Sequence, residues 1–155
     1  MEIRHFNEND AAEVSALIAR TLRISNIKDY PAEVIEQTIN YLSPETLIGR
    51  TSWMHSYVAA DGGRIVGCGS IGPYWDRTDE SCLFTVFVEP DCQGKGIGRS
   101  IIGALEQDEF FLRARRIEIP ASKTAVGFYI KMGYGYKNGV NSPDEEGHYR
   151  LEKFR

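Results

Sequence analysis

Residues 93–99 read Gln-Gly-Lys-Gly-Ile-Gly-Arg, with glycines at 94, 96 and 98 and basic side chains at Lys95 and Arg99. A β-prone run, Ser-Cys-Leu-Phe-Thr-Val-Phe-Val at 81–88, precedes them and is stopped by Pro90. Ile97, Ile101 and Leu105 follow at helical spacing. The glycines therefore lie where a strand hands over to a helix. Glycine lets successive backbone N–H groups turn inward and lets a ligand come close. The unpaired N–H groups of a helix N-terminus and its dipole attract an anion. A diphosphate is the natural guest. The order of residues excludes two common phosphate loops. G-x-G-x-x-G fails because Arg99 or Ile101 takes the last position, and G-K-[ST] fails because Lys95 is followed by Gly96. The competing reading is a glycine turn that only tightens the strand-to-helix junction.

The elements that must position this turn can be read outward from it. The 81–88 run is apolar on both faces and reads as a central strand. Upstream, Asp61-Gly62-Gly63 between two apolar runs predicts a hairpin. Residues 2–6 alternate as a short strand, and Asn7 with Asp10 reads as a helix start before Val14, Leu17, Ile18 and Leu22. A second helix begins near Pro31, and Ser43-Pro44 opens a further helical turn. Downstream, the helix from Ile97 is expected to run on as far as Leu112, followed by a strand at 115–119. Ala125, Phe128, Tyr129 and Met132 share one face of a further helix, and two strands near 134–138 and 148–154 close the chain. The order is β-α-α-β-β-β-α-β-α-β-β. That is an α/β (α+β) fold with a mixed, mostly antiparallel central sheet flanked by helices.

Residues 1–155 make one domain, and 42% hydrophobic residues suffice for a core without disulfide or metal staples. The formal net charge of −4 argues against a nucleic-acid partner. No run of eighteen apolar residues suggests a membrane span, and the N-terminus lacks the pattern of a secretory signal. Cys68, Cys82 and Cys92 form no C-x-x-C pair, so they read as reduced thiols of a cytoplasmic protein with no metal site. His5, His55 and His148 stand singly, without partner spacing for chemistry.

At this point the sequence resembles the GCN5-related N-acetyltransferase superfamily. One block is Gln93-Gly94-Lys95-Gly96-Ile97-Gly98 after Val88-Glu89-Pro90. The second runs from Ser122 through Ala125, Phe128 and Tyr129 to Gly133-Tyr134. The resemblance covers the whole element order, with motif-level similarity confined to about 83–137. It implies an acetyl-coenzyme A-binding core at 81–137 and a variable acceptor-side region at 1–56. It also implies direct transfer of an acetyl group from acetyl-coenzyme A to a primary amine of a small molecule or peptide. The alternative is a non-catalytic coenzyme A sensor or interaction module with the same fold. Such domains often dimerise, which leaves monomer and homodimer both open.

The resemblance also assigns roles. Backbone amides around Gln93, Gly94, Lys95, Gly96, Ile97, Gly98 and Arg99 would hold the coenzyme pyrophosphate. Val86, Phe87 and Val88 would pair with the pantetheine as with an added strand, and an amide near Val88 would face the thioester oxygen. The second block usually opens with Asn. Ser122 stands there instead and would donate to the pantetheine with shorter reach. Tyr129 would sit beside the sulfur and protonate the leaving thiolate, although periodicity alone makes it a core tyrosine. An alkylammonium has a pKa of about 10.4, so the acceptor needs help to lose a proton. Glu80, at the start of the central strand, is the expected base, with Asp79 and a bound-water relay as alternatives. Trp53, Tyr57, Tyr74 and Trp75 are candidates for the acceptor pocket, since aromatic faces suit a cationic amine; each also reads as ordinary packing.

Overall fold

A computed structural model describes residues 1–155. The N-terminal strand β1 (Glu2–His5) leads through a short 3-10 turn into helix α1 (Ala11–Ile24). The expected helix start is a capping box: the Asn7 side chain accepts from the Asn9 amide and the Asp10 carboxylate accepts from the Asn7 amide. Helices α2 (Ala32–Tyr41) and α3 (Pro44–Arg50) follow, with Pro31 just outside the first and Ser43 capping the second. Strands β2 (His55–Asp61) and β3 (Arg64–Pro73) form the expected hairpin, with Gly62 and Gly63 both at positive φ in its turn. Strand β4 (Glu80–Val88) leads into helix α4 (Ile97–Leu105).

The long helix expected from Ile97 to Leu112 is two helices. Asp108 accepts a hydrogen bond from the Phe110 amide and caps a separate α5 (Glu109–Leu112). Strand β5 (Arg116–Ser122), helix α6 (Val126–Lys131), and strands β6 (Gly135–Tyr136) and β7 (His148–Phe154) complete the chain.

The seven strands lie in the order β1-β2-β3-β4-β5-β7-β6, so β4 is central. Every pair is antiparallel except β4 with β5. Alternation along β2 and β3 builds two cores. Ala59 and Ile71 join Ile101, Ile102 and Leu105 of α4, while Val58 and Cys68 join Val14, Leu17 and Ile18 of α1. Each of these large aliphatic side chains is buried and contributes about 1.5–3 kcal/mol. Helix α4 approaches β3 closely because two residues beneath it lack side chains. A Cβ at Gly67 or at Gly69 would stand 2.7 Å from Ile101 side-chain atoms. No helix is long and apolar enough to cross a membrane.

Candidate active site

The parallel pairing of β4 with β5 covers only three residue pairs, Glu80 with Arg116 through Cys82 with Glu118. Beyond Cys82 the two strands part, and a V-shaped cleft opens between Leu83–Val88 and Ile119–Ser122. A bulge bends β4 as it leaves its neighbour. Ser70 of β3 lies opposite Phe84, but Cys68 lies opposite Phe87, so Thr85 and Val86 share the single partner Gly69. Thr85 has φ 49°, a left-handed backbone that a β-branched residue adopts only under strain.

The glycine turn closes the wide end of this V. Gly96 takes φ 83° as the residue preceding α4, and no side chain caps that helix. The first α4-type bond runs from the Ser100 amide to the Gly96 carbonyl, so the amides of residues 97–99 are left facing the turn. Lys95 and Arg99 are exposed beside them. Gln93 folds back, its side-chain amide donating to the Val88 carbonyl at 3.1 Å and to Ser25 Oγ at 3.3 Å, which latches the turn to the end of β4. The buried acid Glu89 would oppose an anion here, but Arg20 of α1 grips both its oxygens at 2.7 and 2.8 Å. Nothing in the residue pattern signals this pair, whose members are 69 positions apart.

Gly98 differs from its two neighbours. Its φ is not positive, and an added Cβ would stand 3.2 Å from Phe128 Cζ and 3.3 Å from Cε1. The missing side chain also serves packing, because it lets α6 seat against α4. Tyr129, next along α6, is 5% exposed and meets Phe128 and Tyr134 edge-on at 5.2 and 6.2 Å between ring centroids. No group of the chain hydrogen-bonds its hydroxyl. Burial raises its pKa well above the ordinary phenol range, with the Cys68 and Cys82 thiols adding to the effect. Ser122 ends β5 half-buried, paired with His148, and its hydroxyl caps nothing.

The expected bases stand elsewhere, at the closed end of the V. One Glu80 oxygen accepts from Arg115 at 2.7 Å and the other from Arg116 at 3.1 Å, so the buried carboxylate is clamped on both sides. Asp79 is bound by Arg115 and Arg77, and these arginines hold its carboxyl below the ordinary carboxylate range. A carboxylate with both oxygens held by arginines is a poor proton acceptor for an ammonium group. Alongside Glu80 lies a second charge cluster that sequence reasoning missed. Glu118, 1% exposed, pairs with Arg116, with Lys137 at 2.9 Å and with Arg150 at 3.4 Å. Arg116 also reaches Glu152 at 2.8 Å. The alternation of charge along β5, Arg116 then Glu118, was its only sequence signal.

The four candidate acceptor aromatics are not gathered in one pocket. Trp53 meets Phe84 of β4 edge-on at 5.7 Å and remains 48% exposed. Tyr57 instead packs with the α4 core and donates its hydroxyl to Asp108 at 2.6 Å. Tyr74 lies under Arg116 and Lys137, which stand 5.1 and 5.4 Å from its ring centroid. Trp75 is 83% exposed at the tip of the β3–β4 loop, with φ 52°. Between α1 and α2, the Tyr30 hydroxyl donates to the Gly147 carbonyl at 2.7 Å and accepts from the Lys123 amide at 2.8 Å. Thr124 adds a bond to Asp29 at 2.7 Å. The segment between α1 and α2 is thereby clasped to the end of β5.

A half-paired parallel strand couple, a bulged central strand and a glycine turn before a helix define a family as well as a cleft. The sequence model of the acetyltransferase (GNAT) domain matches residues 52–135, and the chain belongs to that family. Among solved structures, it is similar to a PaiA N-acetyltransferase from Thermoplasma acidophilum in complex with coenzyme A, with TM-score 0.82, 20% identity, and 99% of this chain and 98% of that chain covered. An aminoglycoside 6'-N-acetyltransferase complexed with coenzyme A gives TM-score 0.65 and 19% identity over 99% and 97% of the two chains. A ribosomal-protein-alanine N-acetyltransferase from Brucella melitensis gives 0.68 and 18% over the full length of both. No curated protein sequence matches. Family membership supports acyltransferase activity, and the two complexes support coenzyme A binding by this fold.

Proposed function

We propose that the protein is an N-acetyltransferase that moves an acetyl group from acetyl-coenzyme A to a primary amine of a small molecule or peptide. The observation that carries this reading is the V between β4 and β5, bent open at Thr85 and ended by the uncapped start of α4. The amides around Gln93, Gly94, Lys95, Gly96, Ile97, Gly98 and Arg99 would receive the pyrophosphate, helped by the positive end of the helix. Val86, Phe87 and Val88 lack a β5 partner and offer their backbone to the pantetheine, with Ser122 donating from the opposite arm. The amine nitrogen attacks the thioester carbon, and an amide near Val88 stabilises the oxyanion. The C–S bond then breaks.

Tyr129 donates a hydrogen bond to the departing thiolate. Burial keeps the phenol protonated, and the same desolvation raises the thiolate's own affinity for a proton. Glu80 no longer suits the part of base, because both its oxygens are engaged. The test is thiol release from acetyl-coenzyme A over a panel of amino acids, polyamines, aminoglycosides and peptides, repeated with succinyl- and propionyl-coenzyme A. Coenzyme binding without thiol release for any amine or donor would favour the sensor reading instead.

A further inference from the structure

With both arginine-bound carboxylates set aside, the proton leaving the amine needs another route. Three hydroxyls lie behind the bulge. Thr85 Oγ1 donates to Ser70 Oγ at 3.4 Å, and Ser70 Oγ lies 2.8 Å from Ser56 Oγ, its cross-strand partner on β2. They border a cavity of about 20 Å³ whose other walls include Phe6, Val14, Ile18 and Leu47. A cavity above about 10–15 Å³ holds one water when polar partners are present, and here the hydroxyls are such partners.

Burial along the chain of hydroxyls is uneven. Thr85 and Ser56 are half-buried and Ser70 is 6% exposed, so the middle member is the most enclosed of the three. The donor order is also directional. Thr85 gives its proton to Ser70, which leaves the Thr85 oxygen free to accept one from the cleft. Ser70 can then donate to Ser56, whose own proton has no acceptor within the chain. The strained Thr85 backbone places the first member at the bend of β4, on the stretch past Cys82 that has no β5 partner.

We propose that Thr85, Ser70 and Ser56, with one cavity water, relay the acceptor's proton to solvent. This rests on the acetyl-transfer reading above. When the amine nitrogen bonds to the acetyl carbon it carries an extra proton. That proton passes to Thr85 Oγ1 as Thr85 gives its own to Ser70, Ser70 to Ser56, Ser56 to the cavity water, and that water, transiently a hydronium, to bulk solvent. Each hydroxyl gains one O–H bond and loses one, so none changes charge overall. The thiolate receives its proton separately, from the cleft side. Thr85 is the member that touches the acceptor; Ser70 and Ser56 are positioning residues that act through it.

Ser70→Ala breaks the relay at its buried centre, and Ser70→Thr restores a hydroxyl. The assay is steady-state thiol release in H2O, D2O and mixtures of the two, with coenzyme A affinity and Tm measured on each variant. The expected result for Ser70→Ala is a fall in kcat of about tenfold to a hundredfold, the scale of a lost proton-transfer step. KM for the amine and coenzyme affinity should hold within about twofold, since the binding groups are untouched. The parent should show a curved dependence of rate on deuterium fraction, as several protons move together, and the alanine variant a linear one. Ser70→Thr should recover most of the rate and the curvature. A merely structural serine pair would lower Tm and leave the isotope dependence alone. An active parent whose Ser70→Ala variant keeps its rate and isotope response refutes the relay. A parent that binds coenzyme A yet transfers to no amine refutes the transfer reading, and the relay with it.

Discussion

Tyr129→Phe removes one oxygen and nothing else, and catalysis should fall while stability holds. The ring is packed between Phe128 and Tyr134, and phenylalanine keeps those contacts. The Tyr129 hydroxyl has no hydrogen-bond partner in the chain, yet it is not sealed in the core: the buried unpaired phenol oxygen is that of Tyr134. Deleting a hydroxyl that solvent can reach and that bonds to nothing in the chain should leave the free protein within about 0.5 kcal/mol of the parent. For a chain of this size that is at most roughly 1–2 °C in Tm. In the proposed reaction the same oxygen is the donor to the thiolate, and its loss should lower kcat by about 10²-fold. Coenzyme affinity should stay within about twofold, because the interaction is made only as the C–S bond breaks. The measurements are thermal unfolding without ligand, calorimetric titration with coenzyme A, and single-turnover thiol release. A variant that loses several degrees of Tm would show that the hydroxyl is held by the fold. A variant with the parent's single-turnover rate would falsify the donor role and leave Tyr129 as a core aromatic beside the cleft.

Gly98→Val should lower Tm by roughly 2–12 °C, the scale of about 1–3 kcal/mol of overpacking, because its new side chain meets the Phe128 ring. Adding Phe128→Ala should recover part of that loss, and unchanged unfolding in the single variant would return Gly98 to a ligand-spacing role. Glu118→Gln removes a buried negative charge from beside Arg116, Lys137 and Arg150, and should cost about 3–5 kcal/mol by urea unfolding. A loss under about 1 kcal/mol would mean that the remaining acids suffice. Arg4 beside Asp10 holds its carboxyl below the ordinary carboxylate range, so this pair stabilises the fold above about pH 4. That contribution should fade as pH falls through the folded value. Asp10→Asn should therefore flatten the acid limb of a stability-against-pH curve, and an unaltered limb would show that the pair is not linked to folding.

The sequence announced those features whose causes are local. Asp61-Gly62-Gly63 specifies its own turn, Ser43-Pro44 its own cap, and the glycines before Ile97 their own left-handed backbone. The Asn7 and Asp10 pair is three residues apart and could be read directly. The misread helix across Glu106–Asp108 shows the limit of periodicity. Ile97, Ile101, Leu105 and Leu112 keep helical spacing, yet the Asp108 side chain takes the Phe110 amide and restarts the helix. The features that were missed all depend on register between distant segments. The bulge at Thr85 is defined only against Gly69 of β3. The fate of Glu80 depends on arginines 35 and 36 positions away. Its neighbours in sequence show only an acid at a strand end, the pattern of a free base, and none of the arginines that hold it.

The charges on β4, β5 and β7 are an expensive way to fill a sheet face, and their benefit is alignment. Two parallel strands joined by only three residue pairs could slide by two residues without turning any side chain to the wrong face. An apolar row would tolerate that slip. This row would not: a two-residue shift sets Glu80 beside Glu118, or Cys82 beside Arg116, and strands a buried charge. The ion pairs thus work as the teeth of a key. They fix where β4 and β5 stop touching, and so how far the parting of the strands lies from the bend at Thr85. Shape at the open end of the cleft is set by electrostatics at its closed end.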